Sequence, residues 1–367
     1  MSLQFEKLAS VEAFDELRTE WEQIEAELSP RSPFTSALWN GLWWQHLSRT
    51  GFAQDDEFFA HTVRENGRLI AVAPLMITVA PSIGPLRTRR LHYFGADPNI
   101  TEIHGLVCRS EDMERVVAGL GDHLSSTQAT AWDWLRWSGI VKDSAAHRLL
   151  DSQVQVKWDE PVLNYWLPLP ATWEEFRAGR SRNIKESLRK CYNSLKREGH
   201  EYQLVVAADR QCARPALEQF FELHSARAAA EVAVRHPDYF AMQPARDFLH
   251  EYCDRMAERD LLRICQLEIA GVVVATRVGF VLGRELYLYY SGYLPEWGKF
   301  SVMTTLLAEI LKWSIAQGFS KVNLSVGKDN SKLRWDPEET VFCQGVQQGP
   351  GWRNRLSFRI YSWIEGI

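Results

Sequence analysis

The segment Leu286–Trp335 constrains the fold most, because it contains a tyrosine-rich strand, a helix and a second strand in close succession. It reads LYLYYSGYLPEWGKFSVMTTLLAEILKWSIAQGFSKVNLSVGKDNSKLRW. Apolar residues at three- and four-residue spacing predict a helix that Ser301 can cap and Gly318 can end. The exposed N–H groups and the positive dipole end of such a helix are typical of an anion site. The segment therefore predicts a site for a phosphate-bearing substrate or cofactor.

Length and composition indicate a globular protein of more than one domain. At 367 residues the chain exceeds the size at which single cores stop growing, about 250–300 residues. Hydrophobic residues make up 46% and charged residues 24% of the sequence, with no apolar run long enough to span a bilayer. Because the start, MSLQFEKLAS, shows no secretory signal, we expect a cytoplasmic protein.

Cysteine spacing and net charge exclude two classes of site. The six cysteines include no CxxC pair, so we expect reduced thiols, no disulfide framework and no metal site. A net charge of −5 argues against a general nucleic-acid binder, and we expect no DNA partner. The exception is the basic segment 177–197, in which Glu186 is the single acidic residue.

Both halves of the chain share one order of predicted elements. In the first half a helix at 11–28 precedes a hairpin at Asn66–Gly67, a strand near 90–94, a helix near 111–124 and a strand at 132–137. In the second half, helices near 217–228 and 247–257 precede a hairpin at Ala270–Gly271, and the strand at 285–290, the helix from Ser301 and the strand at 321–326 follow. We therefore predict an α+β fold of two domains, 1–158 and 171–367, joined by a linker at 159–170. Each would contain a mixed, mostly antiparallel twisted sheet flanked by helices.

Three blocks of sequence carry a resemblance to a known family. They are PFTSALWNGLWWQHL with NGRLIAVAPL and LHYFG, then SRNIKESLRKCYNSLKREG, and then the segment from Tyr289 to Trp335. Together they resemble the GNAT-fold acyltransferases of the CelD/BcsL type, which are similar in turn to the Fem-type aminoacyl transferases built from two GNAT domains. The chain departs from the family pattern at Ser331, where tyrosine is usual, at Asn323, where aspartate is usual, and in PEWGKFS, which has the single glycine Gly298.

The resemblance implies acyl transfer from acyl-CoA to a small-molecule acceptor by direct attack of an amine or a hydroxyl, with no metal. It assigns Tyr290, His224 and Lys332 to catalysis. The expected donor-binding residues are Ser291, Gly292, Gly298, Lys299, Phe300, Ser301 and Val302. The expected acceptor-binding residues are Arg182, Lys185, Arg227, Arg334 and Trp335.

Each of these residues also has a structural interpretation. Alternating tyrosines such as Tyr290 suit a half-buried strand, and a histidine on an apolar helix stripe, as His224 is, is more often a hydrogen-bonded core residue than a base. Lys332 could belong to a solvated loop. The basic helix from Ser181 is either a solvated face or an arm for a nucleotide, a tRNA or another polyanion.

Three functions remain open on the sequence. The first is the acyl-CoA-dependent transferase. The second is a Fem-type enzyme that uses aminoacyl-tRNA as the donor, so that tRNA is a less favoured partner. The third is a catalytically inactive GNAT pair that serves as a binding protein. The sequence does not fix the oligomeric state.

Overall fold

A computed structural model describes residues 2–81, 87–97, 99–127, 132–230 and 236–349, together with Asn354 and Phe358. The chain divides into two compact units. One contains Met1–Val162 with Thr340–Ile367, and the other contains Leu163–Glu339.

The first unit contains most of the short strands. Its elements are β1 (Gln4–Lys7), α1 (Ala13–Glu16), α2 (Arg18–Glu27), α3 (Ala37–Leu47), β2 (Asp55–Phe58), β3 (His61–Glu65), β4 (Arg68–Ala73), β5 (Leu75–Ala80), β6 (Thr88–Tyr93), β7 (Val107–Cys108), α4 (Met113–Thr127), β8 (Trp134–Val141), α5 (Ala145–Leu149) and β9 (Lys157–Trp158).

The second unit contains the segment that the sequence singled out. Its elements are β10 (Val162–Pro168), α6 (Trp173–Ala178), α7 (Arg182–Arg197), β11 (Tyr202–Ala207), α8 (Arg210–Ala229), α9 (Gln243–Glu258), β12 (Leu262–Ile269), β13 (Val272–Leu282), β14 (Glu285–Tyr293), α10 (Val302–Ala316), β15 (Lys321–Val326) and α11 (Asn330–Leu333). The last strand, β16 (Glu338–Gln348), takes the chain back to the first unit.

Two sheets form the first unit. One has the order β1-β3-β4-β7, and the other contains β2, β5, β6, β8 and β16, with β9 paired to β16. The β3–β4 hairpin turns at Asn66 and Gly67, whose φ angles of 51° and 80° are those that a two-residue turn between twisted strands requires. The core contains the apolar side chains of β4, β5 and β8 and those of α4, such as Val116 and Leu120.

The second unit places helices on both faces of one sheet, whose order is β11-β12-β13-β14-β15-β10. Leu188 of α7 and Leu306 of α10 share one buried cluster with Leu267 of β12 and Leu288 of β14. A second group of buried rings contains Tyr289, which contacts both Phe240 and Phe280. Helices α8 and α9 pack on β12. The fold class is therefore α+β, as predicted.

The structure differs from the predicted domain limits at the C-terminal end. The junction at Val162–Leu163 falls inside the predicted linker, but residues from Thr340 onward belong to the first unit. The reason is long-range pairing: β16 lies antiparallel to β8, with Phe342 opposite Val141 and Gln348 opposite Trp134. Nothing in the local sequence of β16 specifies a partner so distant in the chain.

Candidate functional site

The site is built around an irregularity in β14. Arg277 of β13 pairs with Ser291 and Gly279 pairs with Leu288, so β14 has one more residue than β13 between these two pairs. That extra residue is a β-bulge at Tyr289–Tyr290, which bends the strand and redirects its side chains. The parallel pairing of β14 with β15 covers Glu285–Tyr287 opposite Lys321–Asn323, and the bulge follows directly.

Helix α8 packs closely on β14 just past the bulge. A Cβ on Gly292 would lie 2.4 Å from the backbone nitrogen of His224 and 2.5 Å from the carbonyl carbon of Leu223. Only glycine allows two backbones to approach so closely. The structure thus gives Gly292, a predicted donor-binding residue, a packing role that positions α8.

His224 of α8 lies in an aromatic enclosure beneath the bulge. Its ring is 3% exposed and contacts the rings of Phe220, Phe240 and Tyr290. Because Nδ1 lies 3.1 Å from the carbonyl oxygen of Ser291, which can only accept, Nδ1 carries the proton and Nε2 carries the lone pair of the neutral ring. Burial lowers the pKa of His224 below its usual value. The geometry therefore provides a neutral imidazole whose Nε2 lies 3.8 Å from Asp238 Oδ1.

Arg227, one turn further along α8, is partly buried, and the charge of Asp329 acts on it. It donates to Ser291 Oγ at 3.1 Å and to His236 Nε2 at 2.8 Å, and its guanidinium lies 6.0 Å from the ring centre of Tyr293. Burial lowers the pKa of Arg227 from its ordinary value. The bulged strand and α8 thus bring Tyr290, Ser291, His224 and Arg227 together.

The loop after β15 carries two of the predicted cations. Lys332 Nζ donates to the carbonyl oxygen of Val326 at the end of β15. Arg334 donates to Thr304 Oγ1 at 2.6 Å, which places its guanidinium at the first turn of α10. Asp329 precedes both in sequence and accepts from the backbone N–H of Ser331 at 2.7 Å. Hydrogen bonds from the backbone N–H and the side chain of Ser331 outweigh burial and lower the pKa of Asp329.

The start of α10 differs from the prediction. Ser301 occupies the N-cap position, but its φ and ψ of 55° and 43° are left-handed and its side chain makes no capping bond. A 3₁₀ turn at Pro295–Phe300 leads into it, and the carbonyl of Ser301 accepts from the N–H groups of Thr304 and Thr305. In the predicted donor-binding stretch, Gly298, Lys299 and Ser301 are exposed, whereas Phe300 and Val302 are buried. The helix ends as predicted, with Gly318 at a φ of 77°.

Other predicted site residues lie away from this group. Trp335 is fully buried in the core beside Phe176, with its carbonyl bonded by Arg180, so the structure gives it a packing role. Arg182 is exposed and pairs with Glu186 on α7, and Lys185 donates to the carbonyl of Ala178.

Sequence reasoning missed three neighbours of the site. His236 binds Arg227, Arg277 of β13 donates to the carbonyl of Leu324 at 3.3 Å, and Asn164 of β10 pairs with Asn323. The last pair exchanges two amide hydrogen bonds of 3.1 and 2.8 Å, and Asn323 Oδ1 also accepts from the N–H of Ser325. None of these contacts has a signal in local sequence, since each joins different elements.

The first unit also contains a pair of parallel strands, but a loop of the same unit lies against it. β6 and β8 pair at Arg90–Trp134 and Leu91–Leu135. Past these pairs, a Cβ on Gly105 would lie 2.4 Å from the carbonyl oxygen of Ser138. The loop before β7 therefore lies directly against the backbone of β8, and we place the candidate site in the second unit.

Comparisons with known proteins agree with this assignment of the fold. Residues 182–333 match the family model of the acetyltransferase (GNAT) domain. The chain is similar to a solved structure of FemX, with 11% identity and a TM-score of 0.60 over 94% of this chain and 97% of that one. No curated protein matches the chain.

Two further solved structures are similar to the chain. The L-PGS of Bacillus licheniformis shares 13% identity and a TM-score of 0.51, over 92% of this chain and 95% of that one. The C-terminal domain of a putative lysylphosphatidylglycerol synthetase from Agrobacterium fabrum shares 11% identity and a TM-score of 0.51, over 95% of each chain. At such identities these likenesses show the fold alone. The second unit thus has the GNAT fold and matches the GNAT family model over residues 182–333, and membership of the CelD/BcsL type stays a prediction.

Two searches of the described residues gave negative results. No group of three or more histidine, cysteine, aspartate or glutamate residues there could hold a metal ion. None of the helices described is both long and apolar enough to cross a membrane.

The buried amide pair predicts how the chain would respond to the aspartate usual at position 323. Asn323 is 4% exposed, and its amide donates a hydrogen bond to Asn164 Oδ1. The carboxylate of Asn323→Asp would occupy the same buried position and could not donate that bond. We expect the free energy of unfolding at pH 8 to fall by about 3 kcal/mol, because an unpaired buried charge replaces a satisfied amide. Burial raises the folded-state pKa of such a carboxyl above its unfolded value near 3.9, so the loss should shrink as the pH falls toward 5.

Urea denaturation at pH 5 and pH 8 measures this effect. Asn193→Asp, on the exposed side of α7, is the matched control and should show little change at either pH. An equal loss at both pH values for Asn323→Asp would contradict the buried-carboxylate explanation.

Proposed function

We propose that the chain is an acyltransferase that moves an acyl group from acyl-CoA to an amine or a hydroxyl of a small-molecule or polysaccharide-precursor acceptor. The observation that carries the proposal is the bulge at Tyr289–Tyr290, where β14 passes from parallel pairing with β15 to contact with α8. Irregular backbone of this kind leaves peptide groups available to hold a carbonyl. The match of residues 182–333 to a GNAT domain supports the same reaction class. We propose the cytoplasm as its location.

The site residues divide between donor and acceptor. The 3₁₀ turn, the first turn of α10 and Arg334 would hold the phosphates of the donor, since a helix start and a guanidinium both favour anions. The neutral His224 would take a proton from the ammonium group of the acceptor, and the resulting amine would attack the acyl carbonyl. Tyr290 beside it would supply a proton to the leaving thiolate. Lys332, bound to the end of β15, would position the loop that follows this strand.

The exposed face of α7 favours a second candidate, in which aminoacyl-tRNA is the donor. Arg182, Arg189, Lys190, Lys196 and Arg197 are exposed there, whereas the apolar stripe of the helix is buried. A cationic face of this kind suits a nucleic-acid backbone, and its contribution to binding would fall with rising salt.

Donor binding tests both candidates. Thermal and chemical denaturation should be measured with acetyl-CoA, with a longer acyl-CoA and with aminoacyl-tRNA. A donor present at about 100 times its Kd should add roughly 2.7 kcal/mol to the free energy of unfolding. We expect Arg334→Gln to weaken acetyl-CoA binding by about tenfold, because one charge-assisted hydrogen bond of about 1.5–3 kcal/mol is lost.

The matched control is Arg284→Gln. Arg284 also bonds to α10, through the carbonyl of Gly318 at the opposite end, so its loss should leave donor affinity unchanged. The double variant Arg189→Glu/Lys190→Glu should weaken aminoacyl-tRNA alone. A chain that responds to none of the donors would overturn both candidate activities.

A further inference from the structure

Arg227 is a partly buried guanidinium whose hydrogen-bond partners among the described residues are uncharged. Its two hydrogen bonds go to Ser291 Oγ and to His236 Nε2. Because His236 Nε2 accepts from a cation, that imidazole is neutral, and burial and the charge of Arg227 lower its pKa. The remaining contact is the face of Tyr293.

The guanidinium keeps donors to spare. Arginine has five N–H groups in a planar fork, and the two hydrogen bonds use two of them. Within the described residues, no carboxylate forms an ion pair with Arg227. Asp329, whose charge acts on Arg227, is instead bonded to the backbone of Ser331.

Two other arginines of the second unit form ion pairs with carboxylates. Arg263 pairs with Asp260 at 2.8 Å and Arg210 with Glu258 at 3.0 Å. Buried charges are normally paired, because removing an ion from water is costly. A guanidinium in a candidate site that forms no ion pair among the described residues is therefore explained if a ligand brings the anion.

The charge of Asp329 acts on both Arg227 and Arg334, the guanidinium expected to bind the donor phosphates, but the two arginines have different hydrogen-bond partners. It contacts Ser291, the residue at which β14 resumes its pairing after the bulge, whereas Arg334 contacts Thr304 at the start of α10. The two guanidinium groups thus serve different elements, and Arg227 lies beside His224 and Tyr290.

We propose that Arg227, Ser291 and His236 form a subsite for an anionic group of the acceptor, a carboxylate or a phosphate. This inference rests on the proposed acyl transfer and adds the chemical class of the acceptor. The planar fork of arginine matches the two oxygens of either group, and Ser291 Oγ can donate a further hydrogen bond. An acceptor such as an amino acid or an aminated sugar phosphate has the required anion beside its nucleophile.

Calorimetric titration of the full chain with inorganic phosphate and with acetate, at constant ionic strength, tests the subsite. We expect at least one of the two ions to bind, and Arg227→Gln to weaken that binding at least tenfold. Arg227→Lys should retain part of it. Preference for acetate indicates a carboxylate acceptor, and preference for phosphate a phosphorylated one.

Two further variants separate this subsite from other effects. Arg246→Gln is the matched control, since Arg246 lies over Phe221 and donates to the carbonyl of Phe240, and it should bind the ion as the wild type does. Arg334→Gln should also bind the ion as the wild type does, while its affinity for acetyl-CoA falls by about tenfold. Equal ion binding by the wild type and Arg227→Gln would overturn the subsite, as would the absence of binding by either ion.

The stability of Arg227→Gln gives a second readout. Because Arg227 is partly buried and forms no ion pair among the described residues, its replacement should leave the unfolding midpoint unchanged or higher, and a lower midpoint would indicate a structural role. Retention of acetyl-CoA binding by Arg227→Gln would show that its donor site is intact. If the wild type binds the ion through Arg227 but no acyl donor, the proposed function fails and the anion site stands.

Discussion

Gly292→Ala is expected to lower the free energy of unfolding by about 3 kcal/mol. The new Cβ would lie 2.4 Å from the nitrogen of His224 and 2.5 and 2.8 Å from the carbonyl carbon and oxygen of Leu223. These are backbone atoms of α8, which cannot rotate away as a side chain can, so the helix itself must move from β14. Overpacking a well-packed site costs about 1–3 kcal/mol, and a backbone clash belongs at the upper end of that range.

The same displacement should reduce function. Helix α8 carries His224 and Arg227, which both bond to Ser291, so a shift of α8 would lengthen both contacts. We expect Gly292→Ala to lose acyl transfer and the ion binding that depends on Arg227 even where it remains folded.

Gly298→Ala is the matched control, because Gly298 also belongs to the predicted donor-binding stretch. A Cβ there would meet only Tyr293 Cε2, at an ordinary 3.6 Å. Its free energy of unfolding should stay within about 0.5 kcal/mol of the wild type. Urea denaturation followed by circular dichroism compares the two variants, and equal stability would refute the close packing of α8 on β14.

The sequence predicts elements whose determinants are local. The turn at Asn66–Gly67 has the positive φ angles that asparagine and glycine favour, and Ala270–Gly271 adopts positive φ angles too, although alanine rarely does. Strand β15 has its predicted limits, and α10 begins one residue after Ser301 and ends before Gly318 as its apolar spacing indicates. Short-range patterns of this kind do not depend on distant partners.

Some predicted elements are divided in the structure. The first predicted helix breaks at Leu17 into α1 and α2, and the chain that follows the predicted Asn66–Gly67 hairpin is interrupted at Pro74, between β4 and β5. Proline lacks the N–H that a continuous strand would use, so the break has a visible cause.

The site itself depends on distant contacts and could be predicted only in part. The bulge exists because β13 and β14 pair in two registers, and Asn323 is satisfied by Asn164, which lies far from it in sequence. The resemblance placed His224, Arg227 and Ser291 in one site, and the structure brings them into contact. The resemblance could not reveal that Arg227 is partly buried beside His236 with no carboxylate bonded to it among the described residues.

Trp335→Ala is expected to destabilise the chain by about 4 kcal/mol. The side chain is fully buried, its ring centre lies 6.4 Å from that of Phe176, and it belongs to the cluster that also contains Leu188 and Leu306. Truncation of a buried tryptophan to alanine removes its apolar contacts and leaves a cavity, which costs about 3–5 kcal/mol. Chemical denaturation measures the loss.

Trp335→Phe separates this packing role from the acceptor contact that the resemblance implies. The indole N–H is buried without a hydrogen-bond partner among the described residues, so phenylalanine sacrifices no hydrogen bond and should cost about 1 kcal/mol. Because the ring has no exposed surface from which to touch a ligand, we expect Trp335→Phe to bind donor and acceptor as the wild type does. If it instead keeps its stability and loses acceptor affinity, Trp335 contacts the substrate, and the loop from Asp329 to Trp335 must open during the reaction to expose it.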